Sequence, residues 1–161
     1  MTGPRWILLA EDNPCDADLA LRALGADHGS GDVLVANDGS EALDCLYRRG
    51  AFAARDTGNP ALVLLDLKMP KVDGLEVLRQ LKAEPALRSI PVVVFSSSRQ
   101  ERDVVGCYRL GANAYVVKPV DFQQFVAVLQ GVRAFWMEIN EPPPLDRGKS
   151  DAGPGTLATA A

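Results

Sequence analysis

The stretch LLAEDNP, residues 8–14, decides how this chain folds. Its apolar half continues a run that begins at residue 6, and unbroken aliphatic runs of this length are typical of parallel strands covered on both faces. The run ends in two adjacent carboxylates, Glu11 and Asp12. Because two acids at the mouth of a buried strand repel each other, we expect a cation beside them, and further polar side chains at the ends of neighbouring strands.

Further apolar runs of strand length alternate with segments of helical periodicity. The runs cover residues 33–36, 62–65, 92–95 and 114–117. The helical segments cover residues 16–26, 40–49, 75–83, 103–110 and 121–136. In the fourth helical segment, Val104, Val105 and Tyr108 are predicted to form the apolar face. Five strand–helix units predict an α/β fold of the flavodoxin-like type, with a doubly wound parallel sheet of five strands in order 2-1-3-4-5 and five helices.

Length and composition indicate one domain. The chain has 161 residues, enough for a single core, and we place this domain at residues 1–140. Residues 141–161 are rich in proline, glycine and small side chains and are predicted to be a disordered tail.

The net charge is −4 and there is no basic cluster, so we expect no nucleic-acid partner. The first apolar stretch is too short for a signal peptide or a membrane span, so no membrane association is expected.

Cysteine and histidine usage excludes several kinds of site. Cys15, Cys45 and Cys107 are scattered and odd in number, which predicts three reduced thiols in a cytoplasmic protein. His28 is the only histidine and lies in a Gly/Ser/Asp-rich stretch, where a solvated loop residue is expected. A histidine-based metal site or an acyl-transfer triad would therefore lack partners.

Polar side chains follow the ends of four predicted strands. Glu11 and Asp12 follow the first strand, Asp66 the third, Ser96 the fourth and Lys118 the fifth. In an open α/β sheet the functional site lies outside the carboxyl ends of the strands, where the strand order reverses. The sequence therefore predicts that these side chains share one cleft.

Three carboxylates in one cleft favour a hard divalent cation. Mg²⁺ characteristically takes one or two carboxylates, a carbonyl oxygen and several waters. We expect Asp12 and Asp66 to be direct ligands, with the backbone carbonyl of Lys68 close by and Glu11 acting through a water. With its charge shielded by the metal, Asp66 could attack a phosphorus centre.

Four motifs, EDN, LLDLKMPKVDG, VVFSSS and GANAYVVKP, carry a family resemblance. Together, in this order and at strand ends, they resemble the receiver domain of two-component response regulators over residues 5–137. The resemblance implies a signalling protein rather than an enzyme, which takes a phosphoryl group from a histidine kinase. It also implies that Glu11 and Asp12 form the acidic pair that binds the metal.

The same resemblance assigns individual roles. It makes Asp66 the phosphoacceptor, Lys118 the lysine that contacts the phosphoryl group, Ser96 the switch hydroxyl and Tyr115 the aromatic switch. The surface remodelled by the switch would be that of the fourth helix, fifth strand and fifth helix. The bond between Lys118 and Pro119 would be cis.

Two further stretches, YRRGAFAARDTGNP and GVRAFWMEINEPPP, resemble the small stand-alone regulators that work with bacterial and cyanobacterial phytochrome kinases. This implies a bacteriophytochrome-type kinase as partner and an output by association, with a homodimer expected. Cys107 and Tyr108 on the fourth helix, and Phe135 and Trp136 on the last, are the predicted interface residues, although the last two suit a core position equally well.

Two other classes of protein fit the sequence less well. A Mg²⁺-dependent phosphohydrolase with an aspartyl nucleophile, such as the haloacid dehalogenase type, has a second acid two residues after the nucleophile, where this chain has Lys68. A flavin- or nucleotide-binding protein of the flavodoxin type needs a phosphate-binding loop after the first strand, where this chain has acids.

Overall fold

The computed structural model describes residues 5–25, 32–55 and 58–144. Its strands are β1 Ile7–Ala10, β2 Val33–Ala36, β3 Leu62–Leu65, β4 Val92–Ser96 and β5 Ala114–Val117. Its α-helices are α1 Pro14–Ala23, α2 Gly39–Tyr47, α3 Gly74–Ala83, α4 Glu101–Arg109 and α5 Phe122–Arg133. A 3₁₀-helix, Gly50–Phe52, follows α2, and a π-helical segment, Ala134–Ile139, continues α5. His28 and residues 145–161 of the predicted tail lie outside the described residues.

The five strands form one parallel sheet in the order β2-β1-β3-β4-β5, as predicted. All residues of β1, β3 and β4 are buried, whereas most residues of the two edge strands are half-buried. This explains the unbroken aliphatic runs, because a strand covered on both faces has no side that favours polar residues. The β1–β3 pair lies at the point where the strand order reverses.

Alternate side chains of the sheet face two separate cores. On one face, Leu8, Val63 and Val94 pack with residues of α2, α3 and α4. On the other face, Leu9 and Leu64 pack with residues of α1 and α5. These two apolar layers fix the heights of the helices relative to the strands, and so the positions of the loops at the carboxyl edge.

Polar side chains start the helices at this edge. The side chain of Asn13 accepts hydrogen bonds from the backbone N–H groups of Cys15 and Asp16, and caps of this kind contribute about 1 kcal/mol each. Pro14 is therefore the first residue of α1, two residues before the predicted start, because proline suits the first helical position. Asp38, Asp73 and Asp121 cap α2, α3 and α5 in the same way.

Arg55 anchors the long connection between α2 and β3 at the opposite edge of the sheet. The Arg55 guanidinium lies over the ring of Trp6, 4.7 Å from its centroid. It also donates hydrogen bonds to the carbonyl oxygens of Cys45, at 2.9 Å, and Gly58. The Arg55 side chain thus contacts α2, the connection and the residue that precedes β1.

Within the described ranges, none of the helices combines the length and apolar character needed to cross a membrane.

Candidate functional site

The two strands at the centre of the sheet bring three carboxylates together. Ala10 pairs with Leu65, so the residues that follow, Glu11 and Asp66, lie side by side. Carboxylate oxygens of Glu11, Asp12 and Asp66 all lie within 4.8 Å of one another. Glu11 and Asp66 are buried and Asp12 is exposed. The arrangement is a half-open acidic cleft with one acid at its rim.

Lys118, directly after β5, supplies the positive charge of this cleft. Its Nζ atom lies 2.7 Å from Glu11 Oε2, 3.0 Å from Asp16 Oδ2 and 3.3 Å from Asp66 Oδ2. The ammonium also lies 5.8 Å from the centroid of the Phe95 ring. The three donor hydrogens of one lysine, whose side chain is 9% exposed, are thus shared among an acid that follows β1, one in α1 and one that follows β3.

Negative charge is in excess at this edge. Burial raises the pKa of the Glu11 carboxyl to about 7, and the neighbouring Asp66 charge acts in the same direction, against the hydrogen bond from Lys118. Burial alone would lower the pKa of Lys118, but the hydrogen bond to Glu11 and the charges of Asp66 and Glu11 outweigh it and raise that pKa. The lysine therefore stays charged while burial and the neighbouring charge of Asp66 oppose ionisation of Glu11, which is the electrostatic condition that a bound cation relieves.

The donor set fits a hard divalent cation such as Mg²⁺ or Mn²⁺, because all three clustered groups offer carboxylate oxygen. Hydrogen bonds engage both oxygens of each buried acid. Those of Glu11 accept from Lys118 Nζ and from Asn13 N at 3.1 Å, and those of Asp66 accept from Leu67 N at 2.8 Å and from Lys118 Nζ. Asp12 and Asp66 remain the predicted direct ligands, and Lys68, whose carbonyl is predicted to join them, is an exposed residue two positions after Asp66.

The β4–α4 loop forms the third side of the cleft. Ser96, the last residue of β4, is buried, and its Oγ accepts a hydrogen bond from Ser98 N at 3.2 Å. Tyr115 Oη donates to the Ser98 carbonyl at 2.8 Å, so this ring lies inward against the loop. Ser98 Oγ in turn donates to Asp103 Oδ2 at 2.5 Å and accepts from Gln100 N at 3.3 Å. Ser98 therefore joins the strand end, the tyrosine and the first turn of α4.

The β3–α3 loop passes unusually close to the cleft. Gly74 N donates to the Leu67 carbonyl at 2.8 Å, and a Cβ placed on Gly74 would lie 2.1 Å from the Asp66 carbonyl oxygen. Only a residue without a side chain fits there. The start of α3 thus forms the wall behind Asp66.

The structure brings the predicted strand-end residues to one edge, but it corrects one backbone detail. Lys118–Pro119 was expected to be cis; in the part of the chain that the structure describes there is no cis peptide bond, so this bond is trans. The trans form is the more stable one for a proline bond by about 0.5–1 kcal/mol.

Two sets of site contacts have no counterpart in the sequence predictions. They are the bond of Asp16 to Lys118 and the bonds of Ser98 to Asp103 and Tyr115. The available signal was weak: Asp16 lies in the first turn of a helix that starts at the cleft, and only the rotation of that helix directs its carboxylate to Lys118.

The predicted interface residues differ in exposure. Tyr108 is 50% exposed and Phe135 46% exposed. Trp136 is partly buried against the core shared by α1 and α5, with its ring 5.0 Å from that of Phe135. Cys107 is completely buried, so its assignment to an association surface is wrong. The reason is the orientation of α4, in which Cys107 faces the sheet. Val105 and Tyr108, which were predicted to form the apolar face, are exposed instead.

Comparison with known sequences identifies the family of this chain. The sequence profile of the response regulator receiver domain matches residues 7–130. The chain belongs to the response regulator receiver domain family, which is a class of signalling proteins.

Individual relatives within this family include stand-alone response regulators. The chain is similar to response regulator Rcp1 of Synechocystis sp., with 36% identity over 135 residues, covering 84% of this chain and 90% of Rcp1. The crystal structure of the Mn(2+)-bound form of response regulator Rcp1 has a TM-score of 0.79 at 36% identity, over 87% of this chain and 99% of that one.

Two further structures are also similar. The phosphorylated cyanobacterial phytochrome response regulator RcpA has a TM-score of 0.80 at 37% identity, over 86% of this chain and 98% of that one. The bacteriophytochrome response regulator RtBRR is 56% identical over 89% of this chain and 86% of that one, with a TM-score of 0.68. The predicted family and the predicted similarity to phytochrome-associated regulators are therefore confirmed, and the phosphohydrolase alternative is not favoured.

Proposed function

We propose that this protein is a phosphoryl-accepting switch whose acceptor is Asp66 and whose donor is the phosphohistidine of a sensor kinase. The observation that carries the proposal is the placement of Asp66 between two further acids and Lys118. Carboxylate oxygens of three residues cluster within 4.8 Å, and the lysine ammonium lies 3.3 Å from Asp66. A nucleophilic carboxylate, a cation site and a fixed ammonium are the parts that phosphoryl transfer needs, because this reaction depends on positioning and charge neutralisation.

In the proposed reaction an Asp66 oxygen forms a bond to phosphorus as the phosphorus–nitrogen bond of the donor breaks, and the leaving nitrogen keeps the electron pair. Lys118 donates to one phosphoryl oxygen and Ser96 to another. A magnesium ion held by Asp12, Asp66 and the Lys68 carbonyl would neutralise charge on the transferring group. Glu11, which accepts the shortest of the three bonds from Lys118 at 2.7 Å, acts on that ion through a water.

The output in this proposal is association. When Ser96 bonds the phosphoryl group, its contact with Ser98 N changes, and Ser98 is the residue on which Tyr115 and Asp103 converge. The consequence is a shift in the β4–α4 loop and in the surface of α4, β5 and α5. Such coupling needs only that the phosphoryl group makes different contacts in the two states.

A homodimer formed through the exposed apolar residues near the end of the described chain is part of the proposal. Phe135 is 46% exposed and Ile139 73% exposed, a combination that favours burial by a second copy. Sedimentation velocity of Phe135→Ala/Ile139→Ala should show a smaller particle than wild type. The matched control is Val120→Ala, a fully exposed apolar residue in the β5–α5 connection, which should sediment as wild type. Identical sedimentation of all three proteins would remove this segment from the dimer.

The phytochrome link rests on similarity to RcpA and RtBRR, and makes a bacteriophytochrome-type histidine kinase the proposed donor.

The acceptor assignment has a direct test. Incubation with Mg²⁺ and a small phosphodonor such as acetyl phosphate should raise the intact mass by one phosphoryl group. Asp66→Asn should abolish the increase, because its amide is a poor nucleophile, and chelation of Mg²⁺ should abolish it in wild type. An unchanged wild-type mass, with native circular dichroism, would refute the proposal.

A further inference from the structure

We infer that Asp16 is a positioning residue for phosphoryl transfer: it holds Lys118 so that one ammonium hydrogen points at Asp66. This inference rests on the proposed function. Its starting observation is the order of distances at Lys118 Nζ, which is shorter to Glu11 and Asp16, at 2.7 and 3.0 Å, than to Asp66, at 3.3 Å.

These distances divide the three acids into two kinds. An ammonium group has three hydrogens, and two of them are held by the short bonds to Glu11 and Asp16. The third meets Asp66 through the longest and weakest bond. When Asp66 becomes an acyl phosphate, its own oxygens lose their negative charge and a phosphoryl oxygen becomes the stronger acceptor. The third hydrogen can then pass to that oxygen while the other two bonds remain in place.

Asp16 itself is held firmly enough to serve as a fixed point. It lies in the first turn of α1, where its backbone N–H donates to Asn13 Oδ1 at 3.1 Å. Its helix packs against α5 through the core that also contains Phe125 and Leu129. The side chain is 36% exposed, so it lies at the rim of the cleft, whereas the Glu11 side chain, at 3% exposed, lies at its base. Lys118 is therefore held from two sides.

Without Asp16, the ammonium would be held by one short bond and free to rotate. The four-carbon stem of lysine has several rotamers of similar energy, so an ammonium with one firm contact samples many directions. Loss of a hydrogen bond that orients a catalytic group lowers the maximal rate more than it lowers donor binding, because the bond matters most when charge moves onto the phosphoryl oxygens.

The test compares four variants in the full chain with Mg²⁺ and acetyl phosphate. Asp16→Ala and Asp16→Ser remove an acceptor within reach of Lys118, and Asp16→Asn keeps an acceptor oxygen and removes the charge. Asp18→Asn removes a charge from the same helix. Asp18 is the control because it pairs with Arg22 at 3.2 Å, one turn away. Phosphorylation rates from intact mass, as a function of donor concentration, give the maximal rate and the half-saturating concentration separately.

We expect Asp16→Ala to lower the maximal rate by about tenfold or more, the size expected for a lost hydrogen bond between charged groups. The half-saturating donor concentration should stay equal or fall, since one negative charge is gone from the path of an anionic donor. Asp16→Asn should lie within about threefold of wild type, because its amide oxygen accepts the same hydrogen. Asp16→Ser, too short to reach Lys118, should repeat the loss seen with alanine.

A second readout needs neither metal nor donor. The lysine ammonium signal of Lys118 in proton–nitrogen correlation spectra should broaden through faster exchange in Asp16→Ala and Asp16→Ser, and remain in Asp16→Asn. A helix-start role for Asp16 would lower stability without moving this signal.

The outcomes separate the possible errors. Equal rate changes in Asp16→Ala and Asp16→Asn would mean that only charge matters and would overturn the positioning role. Wild-type rates in every variant would overturn it as well. If wild type itself gains no phosphoryl group, the proposed function fails first and the role of Asp16 fails with it.

Discussion

Replacing Gly74 with alanine should damage both the stability of the fold and the proposed site, since the start of α3 lies against the backbone of Asp66. A Cβ on Gly74 would lie 2.1 Å from the Asp66 carbonyl oxygen, 2.7 Å from Leu67 Cα and 2.9 Å from the Asp66 carbonyl carbon. The shortest of these is about 1.3 Å below ordinary van der Waals contact. The obstacle is backbone in a loop that follows a buried strand, so no side chain can rotate away.

The size of the effect follows from what must move. Forcing extra volume into a packed region costs about 1–3 kcal/mol. Moving α3 away also weakens the hydrogen bond from Gly74 N to the Leu67 carbonyl, worth about 1 kcal/mol. Alanine offsets part of this by about 0.4–1 kcal/mol, because it restricts the unfolded chain more than glycine does. We expect Gly74→Ala to lower the free energy of unfolding by about 1–3.5 kcal/mol.

Urea unfolding measures the first consequence, with the same slope and a lower midpoint expected. Intact-mass phosphorylation measures the second, and the rate should fall because the Asp66 backbone shifts within the cleft. Gly131→Ala in α5 is the matched control. Apart from the adjoining residues and backbone of its own helix, no atom of the described chain lies within 4 Å of the added Cβ, so the free energy of unfolding should rise by about 0.5–1 kcal/mol. A Gly74→Ala protein within about 0.5 kcal/mol of wild type that is phosphorylated at the normal rate would refute the reasoning.

Two other changes test contacts away from the reacting carboxylate. Ser98→Ala removes the hydroxyl that donates to Asp103, and should speed hydrogen exchange in the first turn of α4 while Asp66 is still phosphorylated; unchanged exchange would show that the bond does not hold α4. Arg55→Lys should lower the free energy of unfolding by about 1–2 kcal/mol in urea, because lysine loses the stacked contact with Trp6 and cannot reach two carbonyls as a planar fork; equal midpoints would contradict this.

The fold was predictable because its signals are local. Each of the five apolar runs became a strand, and Asp38 and Asp73 start the helices that they precede in the sequence. The strand order then follows from the handedness of parallel crossovers and from the short connections. Polar residues directly after the strands were predictable for the same reason, since the end of a parallel strand fixes where the next side chain lies.

Features that depend on the rotation of a helix were not predictable. In α4 the apolar side chains of Val104, Val105 and Tyr108 suggested one buried face, but the structure turns Cys107 inward. A short helix with few apolar residues fits more than one orientation, and a small side chain allows the helix to approach the sheet closely. Asp16 illustrates the same limit, because its contact with Lys118 needs both the start of α1 and its rotation.

The acids around Lys118 matter for the proposed switch as well as for metal binding. Before phosphorylation the proposed acceptor shares one ammonium group with Glu11 and Asp16, and its own bond to Lys118 is the longest of the three. A phosphoryl group on Asp66 would carry more negative charge than the carboxylate and would place it farther out, towards Lys118 and Ser96. The charge balance therefore changes most at the β4–α4 loop, where Ser98 already links Ser96 to Tyr115. A switch built in this way needs no large motion at the acceptor, because moving one charge by the length of a phosphoryl group changes which hydrogen bonds are strongest.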